Sequence, residues 1–239
     1  MKNDWKRIWD NRLFDESVLA EEDPLKVFVE LKRSNGFDTQ GGNISPEELY
    51  HQYETTKQTL FAGRDTAGAS VYELGCGSGA NLYLFERDGF QCGGIDYSPS
   101  LIAIAEKVLK STDITCGDAL TCPELPQYDS ILSNSVFCYF ESVDYALAVL
   151  DILLKKTRYS IGLLDIHDIS TYDDYIAFRK KTIDDYETKY ASLPKLFFDR
   201  NVFIRYAEEH NLDIVFTESE VKGYWNNPFI FNCYLYKRS

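Results

Sequence analysis

Hydrophobic and polar positions along the chain follow two periods, and each period predicts one kind of element. Ser70–Leu74 runs apolar as a buried strand does, and a helical pattern begins directly after it at residues 81–87. The same alternation continues toward the C-terminus. It predicts further strands within residues 89–96, 114–116, 128–140, 158–164, 212–217 and 228–236, and helices within 98–110, 142–156 and 201–210. Strands that alternate with helices indicate an α/β protein.

The segment before the first strand, residues 1–69, is predicted to be helical. Apolar residues between Trp5 and Phe14 recur at helical spacing, and a second helix is predicted from Pro24 to Lys32. A loop at Gly41-Gly42-Asn43 precedes the run Ser45-Pro46-Glu47-Glu48, which has an N-cap residue, a proline at the first helical position and a capping-box glutamate. We therefore predict a third helix that extends to Phe61.

Composition and charge narrow the kinds of partner. The formal net charge is −13 and the pI is about 4.7, which argues against nucleic acid, because binding to phosphates depends on Lys and Arg. The N-terminus lacks an apolar signal core, and no apolar run approaches the length of a membrane span. The six cysteines form no C-x-x-C pair and show no zinc spacing with the histidines. We expect a cytoplasmic protein with reduced thiols that acts on small molecules, binds no metal and does not engage a membrane.

Three glycines follow the first strand at alternate positions, Gly75, Gly77 and Gly79. A strand that turns into a helix on glycines brings backbone amides against a ligand at the positive end of the helix. This pattern predicts a cradle for a nucleotide-type cofactor. Gly75, Gly77 and Ala80 also satisfy the dinucleotide pattern G-x-G-x-x-G/A, so the loop by itself leaves a nicotinamide cofactor open.

An acidic residue, Asp96, ends the second predicted strand, 21 positions beyond Gly75 (96 − 75). In α/β cofactor sites, a carboxylate at this distance accepts hydrogen bonds from ribose hydroxyls, and a solvated strand-end Asp is the simpler alternative. The third strand ends in Gly117-Asp118-Ala119, and Asp118 taken alone fits a turn cap.

The run Glu73-Leu74-Gly75-Cys76-Gly77-Ser78-Gly79 resembles the first motif of class I S-adenosylmethionine (SAM)-dependent methyltransferases of the small-molecule type. The third glycine at position 79, not 80, favours this family. Asp96-Tyr97-Ser98, Gly117-Asp118-Ala119 and the fourth strand Tyr128-Asp129-Ser130 are similar to its later motifs. The resemblance implies that SAM is the cofactor and S-adenosylhomocysteine (SAH) a product. It implies these binding residues: Glu73, Gly75, Cys76, Gly77, Gly79, Asn81, Asp96, Tyr97, Ser98, Gly117, Asp118, Ala119, Asn134 and Ser135.

The resemblance also implies a fold, a Rossmann-like three-layer α/β/α sandwich around a seven-stranded, mostly parallel sheet whose strand 7 is antiparallel. We predict a single domain over residues 1–239. It comprises an N-terminal helical cover (1–69), a cofactor-binding core (70–168), an aromatic, charge-rich helical lid insertion after strand 5 (169–198), and a C-terminal helix and hairpin (199–239). In relatives, such a cover often folds over the cofactor and completes the acceptor pocket, and such an insertion commonly forms a substrate lid or an oligomer contact. The oligomeric state is left as monomer or homodimer.

Candidate acceptor residues fall in three places. The cover offers Trp9, Tyr50, His51 and Tyr53, which could equally pack the cover onto the core. The end of strand 4 offers Phe137 and Tyr139 as walls, and the insertion offers Tyr175 and a basic run that starts at Arg179, although such a run is usually a solvated face.

His167 is the best candidate base in the chain, because histidine titrates near neutral pH and can take a proton from a hydroxyl. A loop histidine without chemistry is the alternative for His167. A metal site formed by Asp165, His167 and Asp168 is a second, less favoured alternative.

These observations predict a SAM-dependent methyltransferase (EC 2.1.1 type) that acts on a small polar molecule, with O-methylation of a sugar or natural-product acceptor as the expected reaction. Two other functions remain open. An NAD(P)-dependent oxidoreductase would use the same glycine loop and Asp96, but the chain shows no evident Tyr/Lys or His catalytic set for it. A non-catalytic SAM-binding module would need no base.

Overall fold

A computed structural model describes residues 5–37 and 44–238, and all structural statements refer to these residues. The predicted loop at Gly41-Gly42-Asn43 lies outside them. The helices are α1 (Trp5–Trp9), α2 (Pro24–Lys32), α3 (Pro46–Phe61), α4 (Ala80–Arg87), α5 (Pro99–Val108), α6 (Val143–Lys156), α7 (Tyr172–Thr182), α8 (Tyr186–Lys189) and α9 (Arg200–Glu209). The strands are β1 (Ser70–Leu74), β2 (Gln91–Asp96), β3 (Asp113–Cys116), β4 (Tyr128–Asn134), β5 (Thr157–His167), β6 (Leu212–Glu218) and β7 (Ile230–Lys237).

The seven strands form one sheet in the order β3-β2-β1-β4-β5-β7-β6. Neighbouring strands from β3 to β5 are parallel, and β7 runs antiparallel between β5 and β6. This confirms the predicted sheet, including its antiparallel strand 7. The chain moves outward from β1 in both directions, so the carboxyl ends of β1 and β4 open a crevice where α/β proteins bind ligands.

Two apolar cores cover the two faces of the sheet. Val71 and Leu132 face a core built by α2–α5, whereas Tyr72 and Ile131 face a core built by α6 and α9. Because successive side chains of a strand point to opposite faces, the central strands are buried on both sides. This explains why their sequences read as nearly continuous apolar runs, and it gives the three layers that the sequence predicts.

Local signals set most helix boundaries. Ser45 Oγ accepts a hydrogen bond from the Glu48 amide at the start of α3, and Ser142 and Asp199 cap α6 and α9 in the same manner. The largest differences from the sequence expectations lie elsewhere. α1 ends at Trp9, before Leu13, and the long segment expected as strand 4 ends at Asn134 and continues as a short 3₁₀ turn over Phe137–Tyr139.

The cover, which we define as α1–α3 with the turn Arg33–Phe37, packs against the glycine loop side of the sheet. Phe28 and Leu31 of α2 are fully buried in the first core. Gly36 ends this turn with φ of +99°, where a side chain would approach the Trp9 ring. None of the described helices combines the length and apolar composition needed to cross a membrane.

Candidate active site

A cavity of about 290 Å³ opens at the carboxyl ends of β1, β2 and β4, and we call it the first cavity. The glycine loop forms one wall. Asp96 and Tyr97 at the end of β2 form a second wall, and Asp118 marks the exit of β3. The cover closes the cavity from outside through Lys32 and Asn35. The strand ends predicted from the sequence therefore meet at one place, the reversal point of the strand order.

The glycine loop adopts backbone angles that side chains rarely tolerate. Gly77 has φ of +54°, and a Cβ atom there would overlap the side-chain amide of Asn35. Gly79 has φ of +81°, and its Cβ would lie 2.8 Å from Leu109 Cδ1. Both positions therefore require glycine for conformation and for space. Residue 80 by contrast is already the first residue of α4, so the loop is built on glycines at 75, 77 and 79.

Asp96 ties the loop to the end of β2. Its Oδ2 accepts a hydrogen bond from the Gly77 amide at 2.8 Å, and its Oδ1 accepts one from the Ser98 amide at 2.9 Å. Burial raises the pKa of Asp96, and these two amides act in the opposite direction. Each carboxylate oxygen keeps a second acceptor position. Asp96 can thus shape the loop and still accept hydrogen bonds from a ligand in the first cavity.

The cover also binds the loop directly. The Ser78 amide donates to Asn35 Oδ1 at 2.8 Å, and Ser78 Oγ donates to the Leu31 carbonyl at 2.9 Å. Lys32 Nζ, which is buried, donates to Asn81 Oδ1 at 3.0 Å. These contacts make α2 and its following turn part of the cavity wall.

Glu73 is a buried acid on the wall of the first cavity. Its Oε1 accepts from Asn81 Nδ2 at 2.6 Å, whereas its buried Oε2 has no hydrogen-bond partner in the described structure. Burial raises the pKa of Glu73 to about 8, against the opposing effects of Asn81 and of the Lys32 charge. Burial in turn lowers the pKa of Lys32. Glu73 Oε2 is therefore a buried polar atom left for a partner in the cavity, and a cation bound there would favour the ionised form of Glu73.

A second cavity of about 390 Å³ adjoins the first. The two share wall residues from the cover and from the end of β4, namely Trp5, Trp9, Asn35, Phe37, Ser135 and Tyr139. Beyond them the second cavity is lined by Asp165 and His167 of β5, by Arg179 of α7, and by Lys195. A ligand in one cavity and a ligand in the other would meet beside Ser135 and Tyr139.

His167 lies on the wall of the second cavity with 1% of its surface exposed. Neither ring nitrogen has a hydrogen-bond partner within the described residues, and the ring packs edge-to-face on Tyr175 and Phe197. Burial lowers the pKa of His167 well below its ordinary value, and the charges of Lys195 and Arg179 lower it further. The imidazole is therefore neutral at pH 7 and has a nitrogen available to accept a proton.

Asp165, two residues before His167, occupies the boundary of the second cavity in a left-handed conformation with φ of +58°. Its Oδ2 accepts hydrogen bonds from Ser135 Oγ at 2.5 Å and from the Tyr224 hydroxyl at 3.1 Å. Its Oδ1 is buried and has no partner in the described part of the chain. Burial raises the pKa of Asp165 against the effect of these hydrogen bonds.

Comparison with known proteins finds a similarity to methyltransferases. Residues 72–159 match the model of a methyltransferase domain family. The chain is 31% identical over 113 residues to an uncharacterized methyltransferase of Alkaliphilus oremlandii (strain OhILAs), an alignment that covers 46% of this chain and 52% of that protein. Within these ranges, the chain is therefore similar to methyltransferases. It spans about half or less of the length of the curated relatives it matches.

Solved methyltransferase structures share this fold. The magnesium protoporphyrin IX methyltransferase ChlM of Synechocystis PCC 6803 with bound SAH aligns at a TM-score of 0.62 and 12% identity, over 90% of this chain and 100% of that one. The plantazolicin methyltransferase BpumL, in complex with a triazolic desmethylPZN analog and SAH, aligns at a TM-score of 0.64 and 16% identity, over all of both chains. These likenesses confirm the fold class expected from the sequence.

Most of the cofactor-binding residues that the sequence resemblance implies line the first cavity. Cys76, Gly79 and Ser98 do not line it but shape its walls: Cys76 is buried beneath the loop, and Ser98 caps α5. The residues on the wall are Glu73, Gly75, Gly77, Asn81, Asp96, Tyr97, Gly117, Asp118, Ala119, Asn134 and Ser135. Their roles toward a cofactor stay predictions. Three residues that were not predicted from the sequence also line the first cavity, namely Lys32, Asn35 and Tyr145. The Tyr145 hydroxyl donates to Asp118 Oδ1 at 2.6 Å.

The expected acceptor residues divide into two groups. Trp9, Tyr139, His167 and Arg179 line the second cavity. The other five line neither of the two cavities in the described structure, which corrects their expected position. Tyr50 and His51 are exposed because they lie off the buried stripe of α3, Phe137 is buried in the second core, and Tyr175 supports His167 from behind. Tyr53 likewise packs the cover onto α4 by donating to Asp88 at 2.7 Å.

The alternative metal site at Asp165, His167 and Asp168 is not assembled. Asp168 turns to the other side of the strand, where Ser170 donates to its Oδ1 and Arg200 donates to its Oδ2 at 3.1 Å. Among the described residues, no group of three or more His, Cys, Asp or Glu side chains converges as metal ligands.

Proposed function

We propose that this chain binds SAM in the first cavity and methylates a small molecule held in the second. The observation that carries the proposal is the junction of the two cavities at Ser135 and Tyr139, because methyl transfer needs donor and acceptor in contact and shielded from water. SAM supplies a methyl group that its sulfonium already activates. The protein must then hold the two molecules in line.

The residues of the first cavity fit SAM in their donor and acceptor properties. The unpaired Glu73 Oε2 suits an ammonium group, and Lys32 suits a carboxylate. Asp96 keeps acceptor positions for ribose hydroxyls, and the Tyr97 ring beside it offers a flat face for a base. The glycines at 75, 77 and 79 let the backbone approach closely.

We further propose O-methylation, with His167 as the base that accepts the proton of an acceptor hydroxyl. Support comes from its position on the second cavity, its unpartnered ring nitrogens and its neutral state. Asp165 would hold the Ser135 hydroxyl and the Tyr224 hydroxyl between the two cavities. A natural-product type of acceptor suits the aromatic walls better than a sugar does.

Transfer of a radiolabelled methyl group from SAM to a panel of hydroxylated small molecules tests this proposal. We expect label in at least one class of acceptor and SAH in equal amount. If the protein binds SAH but labels no member of the panel, the proposed transfer is contradicted and a non-catalytic module is favoured. Label on an amine instead of a hydroxyl would contradict O-methylation and the role of His167 as a base. It would leave the proposed methyl transfer from SAM intact.

A further inference from the structure

Arg179 is a buried cation that the fold brings to the wall of the second cavity. It follows Tyr175 by one helical turn on α7 and has 4% of its surface exposed. Its guanidinium carbon lies 4.9 Å from the ring centre of Tyr190 and 5.0 Å from that of Trp225. Its Nε has no hydrogen-bond partner within the described structure. Aromatic faces therefore fix this guanidinium without neutralising it.

Lys195 supplies a second cation to the same cavity. Its Nζ lies 5.2 Å from the ring centre of Tyr139 and 6.0 Å from that of Trp5. Within residues 5–37 and 44–238, neither Lys195 nor Arg179 takes part in an ion pair. Both act on His167, since their charges lower its pKa. Arg179 is buried and Lys195 is half-buried, and the Asp165 carboxylate acts on Lys195 from the same cavity. A buried charge without an ion-pair partner is unfavourable, so the two cations together favour an anion in this cavity.

The other residues that line the second cavity also indicate that it is positively charged. Lys189 also lines the second cavity, and Asp165 is the one carboxylate among its described lining residues. The protein as a whole carries a formal charge of −13, so a cationic cavity departs from its average surface. Rings of Trp9, Tyr190 and Trp225 complete the wall with flat apolar faces.

We propose that the acceptor is a planar aromatic molecule with an anionic group, and that Arg179 and Lys195 bind this group while the aromatic walls hold the ring system. This inference rests on the proposed function and specifies its substrate class. An acceptor held in this way would have its anionic end near α7 and its other end toward Ser135 and Tyr139, where the two cavities meet.

Calorimetric titration of the SAH-saturated protein with matched probes tests the proposal. The probes are 2-naphthoate with its neutral isostere 2-naphthamide, and benzoate with benzamide. We expect at least one carboxylate to bind tenfold or more tightly than its amide. Arg179→Gln and Lys195→Gln should each reduce this preference about tenfold, and Arg179→Lys should restore part of it. Lys180→Gln is the matched control, because Lys180 neighbours Arg179 on α7 but is exposed and paired with Glu187 at 2.6 Å.

The outcomes separate this inference from the proposed function. If SAH binds but carboxylates and amides bind equally, or no carboxylate binds, the anionic acceptor is refuted while the cofactor site stands. An equal loss in Lys180→Gln and Arg179→Gln also refutes it, since the effect would then be a general one of charge. If SAH does not bind, the proposed function fails, and the same titration without SAH still reports on the anion site. Thermal unfolding of each variant verifies its fold.

Discussion

Lys32 Nζ donates a hydrogen bond to Asn81 Oδ1 across 3.0 Å, and this contact joins the N-terminal cover to the helix that follows the glycine loop. The same Asn81 side chain donates to Glu73 at 2.6 Å. A buried cation, an amide and a buried acid are thus linked in series beneath the first cavity. The protonation of Glu73 depends on this chain of contacts, and its titration is accessible to experiment.

The buried Glu73 makes stability depend on pH. Its pKa is raised from 4.5 to about 8, so the folded protein retains a proton that the unfolded chain releases within this window. Stability from this group is therefore complete below about pH 4.5 and is lost as pH rises toward 8. Glu73→Gln removes the titration. As pH rises from 5 to 8, we expect the free energy of unfolding of the wild type to fall by about 2–4 kcal/mol relative to that of Glu73→Gln. Urea unfolding at both pH values measures this, and parallel pH profiles would show that Glu73 is ionised in the fold.

Asp96 is expected to contribute to cofactor affinity and to the loop itself. Replacement by Ala should weaken SAH binding by about 1.5–3 kcal/mol, the range for hydrogen bonds to a charged group. It should also lower the thermal midpoint, because the amides of Gly77 and Ser98 lose their acceptor. Asp96→Asn keeps one acceptor oxygen, so its SAH affinity should lie between that of the wild type and that of Asp96→Ala. Wild-type SAH affinity in a folded Asp96→Ala variant would exclude the ribose role.

Gly77 is expected to tolerate no side chain. Gly77→Val should abolish SAH binding, because the new side chain would displace Asn35 and protrude into the first cavity. Gly89→Val is the matched control: Gly89 also has a positive φ, +85°, but a Cβ atom there would have no neighbouring atom within 4 Å. This control should lose about 1–2 kcal/mol of stability from backbone strain and keep its SAH affinity. If Gly77→Val binds SAH normally, the loop is not the cofactor cradle.

His167 is expected to act on turnover and not on cofactor affinity. With an acceptor from the screen, His167→Ala should reduce kcat by about 10²–10⁴-fold, the usual contribution of a general base, while SAH affinity stays within twofold. Because the pKa of His167 is well below its ordinary value, protonation of this base should not reduce wild-type turnover between pH 8 and pH 6.5. His210→Ala is the control, because His210 is the half-buried C-cap of α9 and lines neither of the two cavities in the described structure. Wild-type kcat in His167→Ala would remove it as the base.

The parts of the site that could be predicted from the sequence each lie within one short segment of the chain. The glycine loop, Asp96 and Asp118 each follow a strand, and parallel strands place such residues at one edge of a sheet. The order of the elements therefore sufficed to bring them together. The same logic placed His167 at this edge, since β5 lies beside β4.

Contacts from the cover and the insertion could not be placed in this way, because the packing of a helix outside the sheet depends on tertiary contacts. Lys32 did carry a signal, since it follows the buried Phe28 by four residues and so lies on the apolar face of α2. Arg179 bears the same relation to Tyr175. Tyr50 and His51 lie off the stripe formed by Leu49, Tyr53 and Thr56, which explains their exposure.

The central claim is that the first cavity binds SAM and not a nicotinamide cofactor. Calorimetric titration of the wild-type protein with SAH, NAD and NADP in parallel tests it most directly. We predict micromolar binding of SAH and no detectable binding of NAD or NADP. Binding of NAD or NADP without SAH would contradict the account, and it would mean that Gly75, Gly77 and Ala80, not the glycine at position 79, define the cofactor.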